Sequence, residues 1–281
     1  MNRDELAKAG YDPDKTQMLA GLNQTDLINI PYIAPTTGET AVAFGCDQDW
    51  YGSHWQRQAG CGPCTSATLL LYLARSRTSY ERLYPQTVQD QAFFTTFMDH
   101  IWTYVTPGHM GVNEASMLVN GIVKYAATCS VFLEAATFPI PGQKNRRKPL
   151  ESFQEFVCEG LRQDSPVAFL NLSNGGLTNL DSWHWIAITA LYLHDGEKLL
   201  AEVSDSGERK LIDLAYWYNS SRLGGAAVYF LPVAESDITA GDAAESDIAA
   251  SEIAESGITA GDAAGSDAVA AKATQVQRTS Q

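Results

Sequence analysis

The 281-residue chain has no apolar run approaching the roughly 18 residues that a membrane-spanning helix needs, so no membrane partner is expected. Basic residues are scarce, with 19 Lys and Arg against 33 Asp and Glu and a net charge of −14. That balance opposes nonspecific attraction to nucleic acid, and no basic stripe with interleaved aromatics offsets it. The one basic run, Arg146-Arg147-Lys148, lies in a Pro-rich stretch and reads as a solvated loop. Neither a Gly-x-x-x-x-Gly-Lys-Ser/Thr phosphate loop nor a Gly-x-Gly-x-x-Gly fingerprint occurs, and no cofactor is expected. The N-terminus, Met1 to Leu6, carries charges of both signs without a following apolar stretch, unlike a secretory leader. The expected compartment is the cytoplasm, with export by another route compatible with the same sequence. Cysteine is sparse and odd in number: Cys46, Cys61, Cys64, Cys129 and Cys158. Without a leader, this predicts free thiols rather than a disulfide framework.

Aromatics are absent from residues 234–281, which repeat with a ten-residue period beginning at Glu235, Glu245 and Glu255. About half the protein's negative charge lies there. A lone Ile or Val per repeat buries too little apolar surface to offset chain entropy, so an acidic, disordered tail is expected. Residues 1–44 read as an N-terminal extension, and residues 45–233 as the folded domain.

Within that domain, Thr65 to Arg75 has strong helix formers and no breaker, which predicts a buried helix. Phe93, Phe94, Phe97, Met98, Ile101, Trp102 and Val105 recur at helical spacing. A third helix is expected with Asn113 as its N-cap, and a fourth from Leu150 to Gln163. The pattern then changes to strands at 167–172, at 183–193 and, across the Asp195-Gly196 turn, at 198–203, with two more at 210–212 and 227–230. Helices first and an antiparallel sheet later is the α+β arrangement.

Gly60-Cys61-Gly62-Pro63-Cys64 places a cysteine where a glycine-rich stretch becomes a helix. Unpaired N–H groups and the positive helix end favour thiolate over thiol. The two glycines are expected to let the backbone turn tightly, and Pro63 suits a first helical turn. A thiolate working on an acyl group needs a base that can protonate the leaving amine. Of five histidines, His184 is the best placed, opening a strand directly after a polar loop. His100 and His194 read as solvated, His54 lies in a loop, and His109, in Pro107-Gly-His-Met-Gly111, is a candidate for lining a cleft. Asp205 ends the strand expected to pair beside His184 and is the candidate for orienting its ring. Ser204 and Asp213 stand next in line, and an ordinary turn residue is the competing reading of Asp205.

Cys61-Gly62-Pro63 opening a helix, His184-Trp185-Ile186-Ala187-Ile188 on a strand and then Ser204-Asp205-Ser206-Gly207 resemble the papain-like cysteine peptidases, particularly the bacterial C39-like branch. The resemblance spans roughly residues 48 to 232. It implies an N-terminal helical lobe followed by a mainly antiparallel β lobe. Between them it implies a Cys-His-Asp/Asn site that attacks a peptide or related amide bond and passes through a thioester. Acyl transfer to an amine is within the same chemistry. Papain itself has a glutamine within Gln-x-x-Cys-Gly-x-Cys, and Gln58 to Cys64 reproduces that spacing, which would make Cys64 the nucleophile. The Cys-Gly-Pro branch points instead to Cys61. The oxyanion donor stays open between Gln56, five residues before Cys61, and Gln48, whose Gln48-Asp49-Trp50 resembles a Gln-x-Trp element of some bacterial relatives.

Two non-catalytic readings compete. Cys61-x-x-Cys64 is a common half-site for structural zinc, with Cys46 and His54 as the further ligands. A pseudoenzyme binding peptides in the same cleft is the other.

Overall fold

The chain is described from a computed structural model covering residues 1–233; the repeat tail, expected to be disordered, lies outside the described residues. In chain order the elements are α1 (Arg3–Lys8), β1 (Thr16–Gly21), β2 (Asn29–Ile33), β3 (Thr40–Phe44), α2 (His54–Ala59), α3 (Cys61–Ser76), α4 (Gln91–Trp102), α5 (Ala115–Thr128), β4 (Leu133–Ile140), α6 (Leu150–Arg162), β5 (Val167–Asn171), β6 (His184–His194), β7 (Lys198–Asp205), β8 (Glu208–Asp213), α7 (Leu214–Ser220) and β9 (Gly225–Pro232). The architecture is α+β. A seven-stranded antiparallel sheet runs in the order β4-β9-β5-β6-β7-β8, with β1 as the seventh strand paired to β6, and β2 and β3 form a separate hairpin.

Strand alternation sends successive side chains to opposite faces. Ala168, Leu170, Trp185, Ala187, Ala226, Val228 and Phe230 face α3, α4 and α5 in one core. Their neighbours Val167, Phe169, Ile186, Ile188, Ala227 and Tyr229 face α6 and α7 in a second. The sheet is thus covered on both sides, so the helices are not confined to an N-terminal lobe. Helix α6 shows why: its buried stripe of Phe153, Val157 and Leu161 at helical spacing needs an apolar partner, and the back of the sheet supplies it.

Residues 1–44 are part of the same folded body rather than an appended extension. β1 pairs antiparallel with the second half of β6, from Gly21 against Ala190 to Thr16 against His194, while β5 pairs with the first half. Leu22, Ile28, Ile30 and Phe44 are buried with the rest of the core. Helix α5 begins at Ala115 with Glu114, not Asn113, at its N-cap position and no side-chain cap. Among the described residues, no helix is long and apolar enough to cross a membrane.

The expectation of five free thiols is overturned by a disulfide between Cys46 and Cys64, with Cα atoms 5.8 Å apart. It links the chain after β3 to the first turn of α3, and Cys61, Cys129 and Cys158 stay free. An odd count is compatible with one bridge and three free thiols. Closing a loop across 18 residues stabilises the fold by about 3 kcal/mol through the unfolded chain. The Cys46→Ser/Cys64→Ser double variant is expected to lose about that much, read as a lower urea midpoint with a somewhat steeper slope, because the unbridged unfolded chain exposes more surface.

Candidate functional site

Cys61 is the first residue of α3, after the N-cap Gly60. The following thirteen residues, Gly62 to Ala74, are all buried, so the helix end cannot shift without disturbing the core. Gly60 and Gly62 give closeness rather than a tight turn. Gly60 has an ordinary negative φ, and a Cβ there would meet the Gln56 carbonyl and the Tyr51 ring; one on Gly62 would lie 2.7 Å from Val112. Cys61 itself is half-buried.

His184 opens β6, and its Nε2 lies 2.7 Å from Asp205 Oδ1 in a buried pair. With Nε2 engaged, Nδ1 is the ring nitrogen left for Cys61, and both residues line the same small cavity. Asp205 closes β7 just before the two-residue turn Ser206-Gly207, whose residues both have positive φ. That backbone suits the twist of a hairpin and makes the end of the strand a fixed point. Asp205 Oδ1 also accepts from Ser206 Oγ at 3.1 Å, and Oδ2 accepts from Lys210 Nζ at 3.3 Å.

These contacts set the charges. Burial raises the Cys61 pKa, but the hydrogen bond and charge of His184, with the backbone N–H groups of Trp185 and Gly62, outweigh it and leave the thiol below its ordinary value. Burial likewise opposes the imidazolium, yet hydrogen bonds and charges from Asp205 and Cys61 push His184 up to about 10. Asp205 is lowered despite its burial, through His184 first and then Lys210. Each partner holds the next in its charged form, and the arrangement favours a thiolate–imidazolium pair.

The two glutamines separate. Gln48 lines a small cavity together with Cys61 and His184, and its Nε2 donates to the Arg57 carbonyl at 3.0 Å, which fixes the amide plane and leaves a second N–H. Gln56 is engaged elsewhere: it forms the capping box of α2 with Ser53 and donates to Asp99. It is not brought to Cys61. Cys64 lines the same small cavity, but its sulfur is bonded to Cys46, so it is neither a free nucleophile nor a zinc thiolate. The four-ligand zinc site is thereby lost, and no group of three or more His, Cys, Asp or Glu is placed to hold a metal among the described residues.

The rival orienting groups are also occupied. Ser204 donates to the Phe44 carbonyl at 2.6 Å, and Asp213 caps α7 by accepting from the Tyr216 N–H. His194 is not solvated but buried, 2.8 Å from Thr16 Oγ1. His109 lines a groove of about 370 Å³ that opens beside Cys61.

Two further residues lie at the site. Lys210 is brought beside Asp205 by the Ser206-Gly207 turn, a hairpin signal in the sequence, which folds β8 back on β7. Trp183, directly before His184, has a φ of 57°, a left-handed conformation rare for a bulky side chain, and its carbonyl lies 3.9 Å from Cys61 Sγ. No protein-family model matches the chain, and no curated protein matches it.

The sign of the pH dependence follows from the charges. Because the Cys61 pKa is lowered, carboxamidomethylation of Cys61 should begin at a lower pH than that of an ordinary thiol. Because His184 is raised, its charge should persist until pH approaches about 10. Lys210→Met removes a positive charge that lowers Asp205, so the acid-side onset of Cys61 alkylation should move to higher pH, while Lys210→Arg should largely restore it. The pH profile of Cys61 alkylation, read by mass spectrometry, checks both.

Proposed function

We propose that this protein is a papain-like thiol hydrolase, related to the bacterial C39-like branch, that cleaves a peptide or related amide bond. The observation that carries the reading is the meeting of Cys61, at a helix N-terminus, and His184 on one small cavity, with Asp205 Oδ1 2.7 Å from His184 Nε2. A nucleophile, its base and the group that orients the base, held by three different elements, are the parts that covalent acyl chemistry requires.

In the proposed reaction the Cys61 thiolate bonds to the carbonyl carbon, and the carbonyl π pair moves to oxygen. The remaining Gln48 N–H and the backbone at the start of α3 are the donors available to that oxyanion. Collapse breaks the C–N bond, and the leaving amine takes the proton from His184 Nδ1, leaving a thioester. Water then attacks the thioester carbonyl, gives a proton to His184 and releases the carboxylate and Cys61. Asp205 keeps Nε2 protonated and the ring aimed throughout, and Lys210 keeps Asp205 ionised.

Alkylation of native protein near neutral pH should modify Cys61 well before Cys129 or Cys158; slow, uniform labelling of the free thiols would refute the nucleophile. On a peptide amide that the protein turns over, Asp205→Ala should lower kcat by about 10²- to 10⁴-fold and His184→Ala by at least as much. The double variant should be little worse than His184→Ala alone, because the residues act as a unit. Asp205→Asn keeps an acceptor for Nε2–H and should be milder than Asp205→Ala.

A further inference from the structure

The Cys46–Cys64 bridge and the Cys61 thiol occupy one place, since all three residues line the same small cavity. In the folded domain the two bridge residues are shut away, with Cys46 4% and Cys64 5% exposed, whereas Cys61 is half-buried. A small molecule arriving from solvent therefore meets Cys61 before either partner of the bridge. Cys61 is also the thiol that His184 and the backbone at Gly62 and Trp185 hold towards thiolate, the form that attacks a disulfide.

Spacing supplies the next contact. Cys61 and Cys64 are the first and fourth residues of α3, so they stand on one face of its opening turn. Helix geometry holds Cβ atoms at that spacing about 5–6 Å apart, against about 3.8 Å in a disulfide. A Cys61–Cys64 bond is thus within reach of a small tightening of the first turn, and it is a reactive donor rather than a resting state. Cys46 is held on the other side. Its N–H donates to Thr68 Oγ1 at 3.1 Å, one turn along α3 from Cys64, a contact that does not involve the sulfur.

We infer that Cys61 loads the Cys46–Cys64 bridge of its own chain, as a relay that takes oxidising equivalents from a small-molecule disulfide in solution. The Cys61 thiolate attacks one sulfur of that disulfide; a bond to Cys61 Sγ forms, and the first small thiolate leaves with the electron pair. Cys64, its proton given to solvent, attacks Cys61 Sγ, which forms Cys61–Cys64 and expels the second small thiolate. Cys46, likewise deprotonated, attacks Cys64 Sγ, closes Cys46–Cys64 and releases Cys61 as thiolate. Two protein thiols have then lost two electrons and two protons, and the small disulfide has become two thiols. The sequence runs in this direction because the thiol of lowest pKa is the best leaving group. The relay needs no acyl substrate, so it goes beyond the hydrolase reading, and its failure would leave that reading standing.

The test follows bridge formation in the full chain, reduced with dithiothreitol in urea, returned to native buffer and given oxidised glutathione. Samples are quenched with N-ethylmaleimide and mapped by peptide mass spectrometry. In the wild-type chain, Cys61 bonded to glutathione or to Cys64 should precede Cys46–Cys64. Cys61→Ser should slow Cys46–Cys64 formation by roughly tenfold or more, because only the two buried sulfurs remain to react with the oxidant. Cys46→Ser should stop the relay at Cys61–Cys64, with Cys61 lost to later alkylation. Closure of the bridge in Cys61→Ser at the wild-type rate overturns the inference, since the bridge then forms without the relay. So does a Cys46→Ser chain that stops at the glutathione adduct of Cys61 with Cys64 still a free thiol.

Discussion

The buried hydrogen bond between His184 Nε2 and Asp205 Oδ1 is the constraint around which the rest of the site is arranged. A carboxylate with 4% of its surface exposed is costly to bury unless its oxygens are occupied, and here three donors occupy them: the imidazole, Ser206 Oγ and Lys210 Nζ. With Nε2 fixed to Asp205, the imidazole presents its other nitrogen towards α3. The charge state of Cys61 is then a consequence of ring orientation, because a histidine kept protonated stabilises a thiolate beside it.

Two packing features convert that local bond into a fixed site. The first is α3, buried from Gly62 to Ala74 and packed on the face of β6 that carries Trp185 and Ala187. The second is the Cys46–Cys64 bridge, which ties the first turn of the same helix to the segment bearing Gln48. Cys61, Gln48 and His184 are thereby referenced to one another through covalent and close-packed connections. Gly45 shows how tight the junction is: it has a φ of 81°, and a Cβ there would fall 2.1 Å from Ser204 Oγ on β7.

The surroundings of Cys61 divide into a polar and an apolar side. On one side lie His184, Gln48 and the start of α3. On the other lies a groove with no Asp, Glu, Lys or Arg among its lining residues. In the proposed reaction the first would balance the developing charge and the second would be free to hold the substrate.

Much of this was legible in the chain itself. The helix beginning near Cys61, the strands bearing His184 and Asp205 and the Asp195-Gly196 turn between them all follow from residue patterns within a few tens of positions, where local propensity and periodicity operate. So does the choice of His184 over the other histidines, since only it opens a strand after a polar loop. What local pattern could not decide was which distant segments meet. β1 joins β6 across about 170 residues, α6 covers the back of the sheet, and Cys46 rather than water or metal lies against Cys64. The same limit applied to Gln48 and Gln56: both stand near Cys61 in sequence, but helix α2 takes Gln56 for its own cap while Gln48 is carried into the cavity. Lys210 reaches Asp205 only because the Ser206-Gly207 turn folds β8 back on β7. Sequence determined the elements and the reactive types because those depend on near neighbours; the partners of each side chain were decided by packing, which depends on the whole chain.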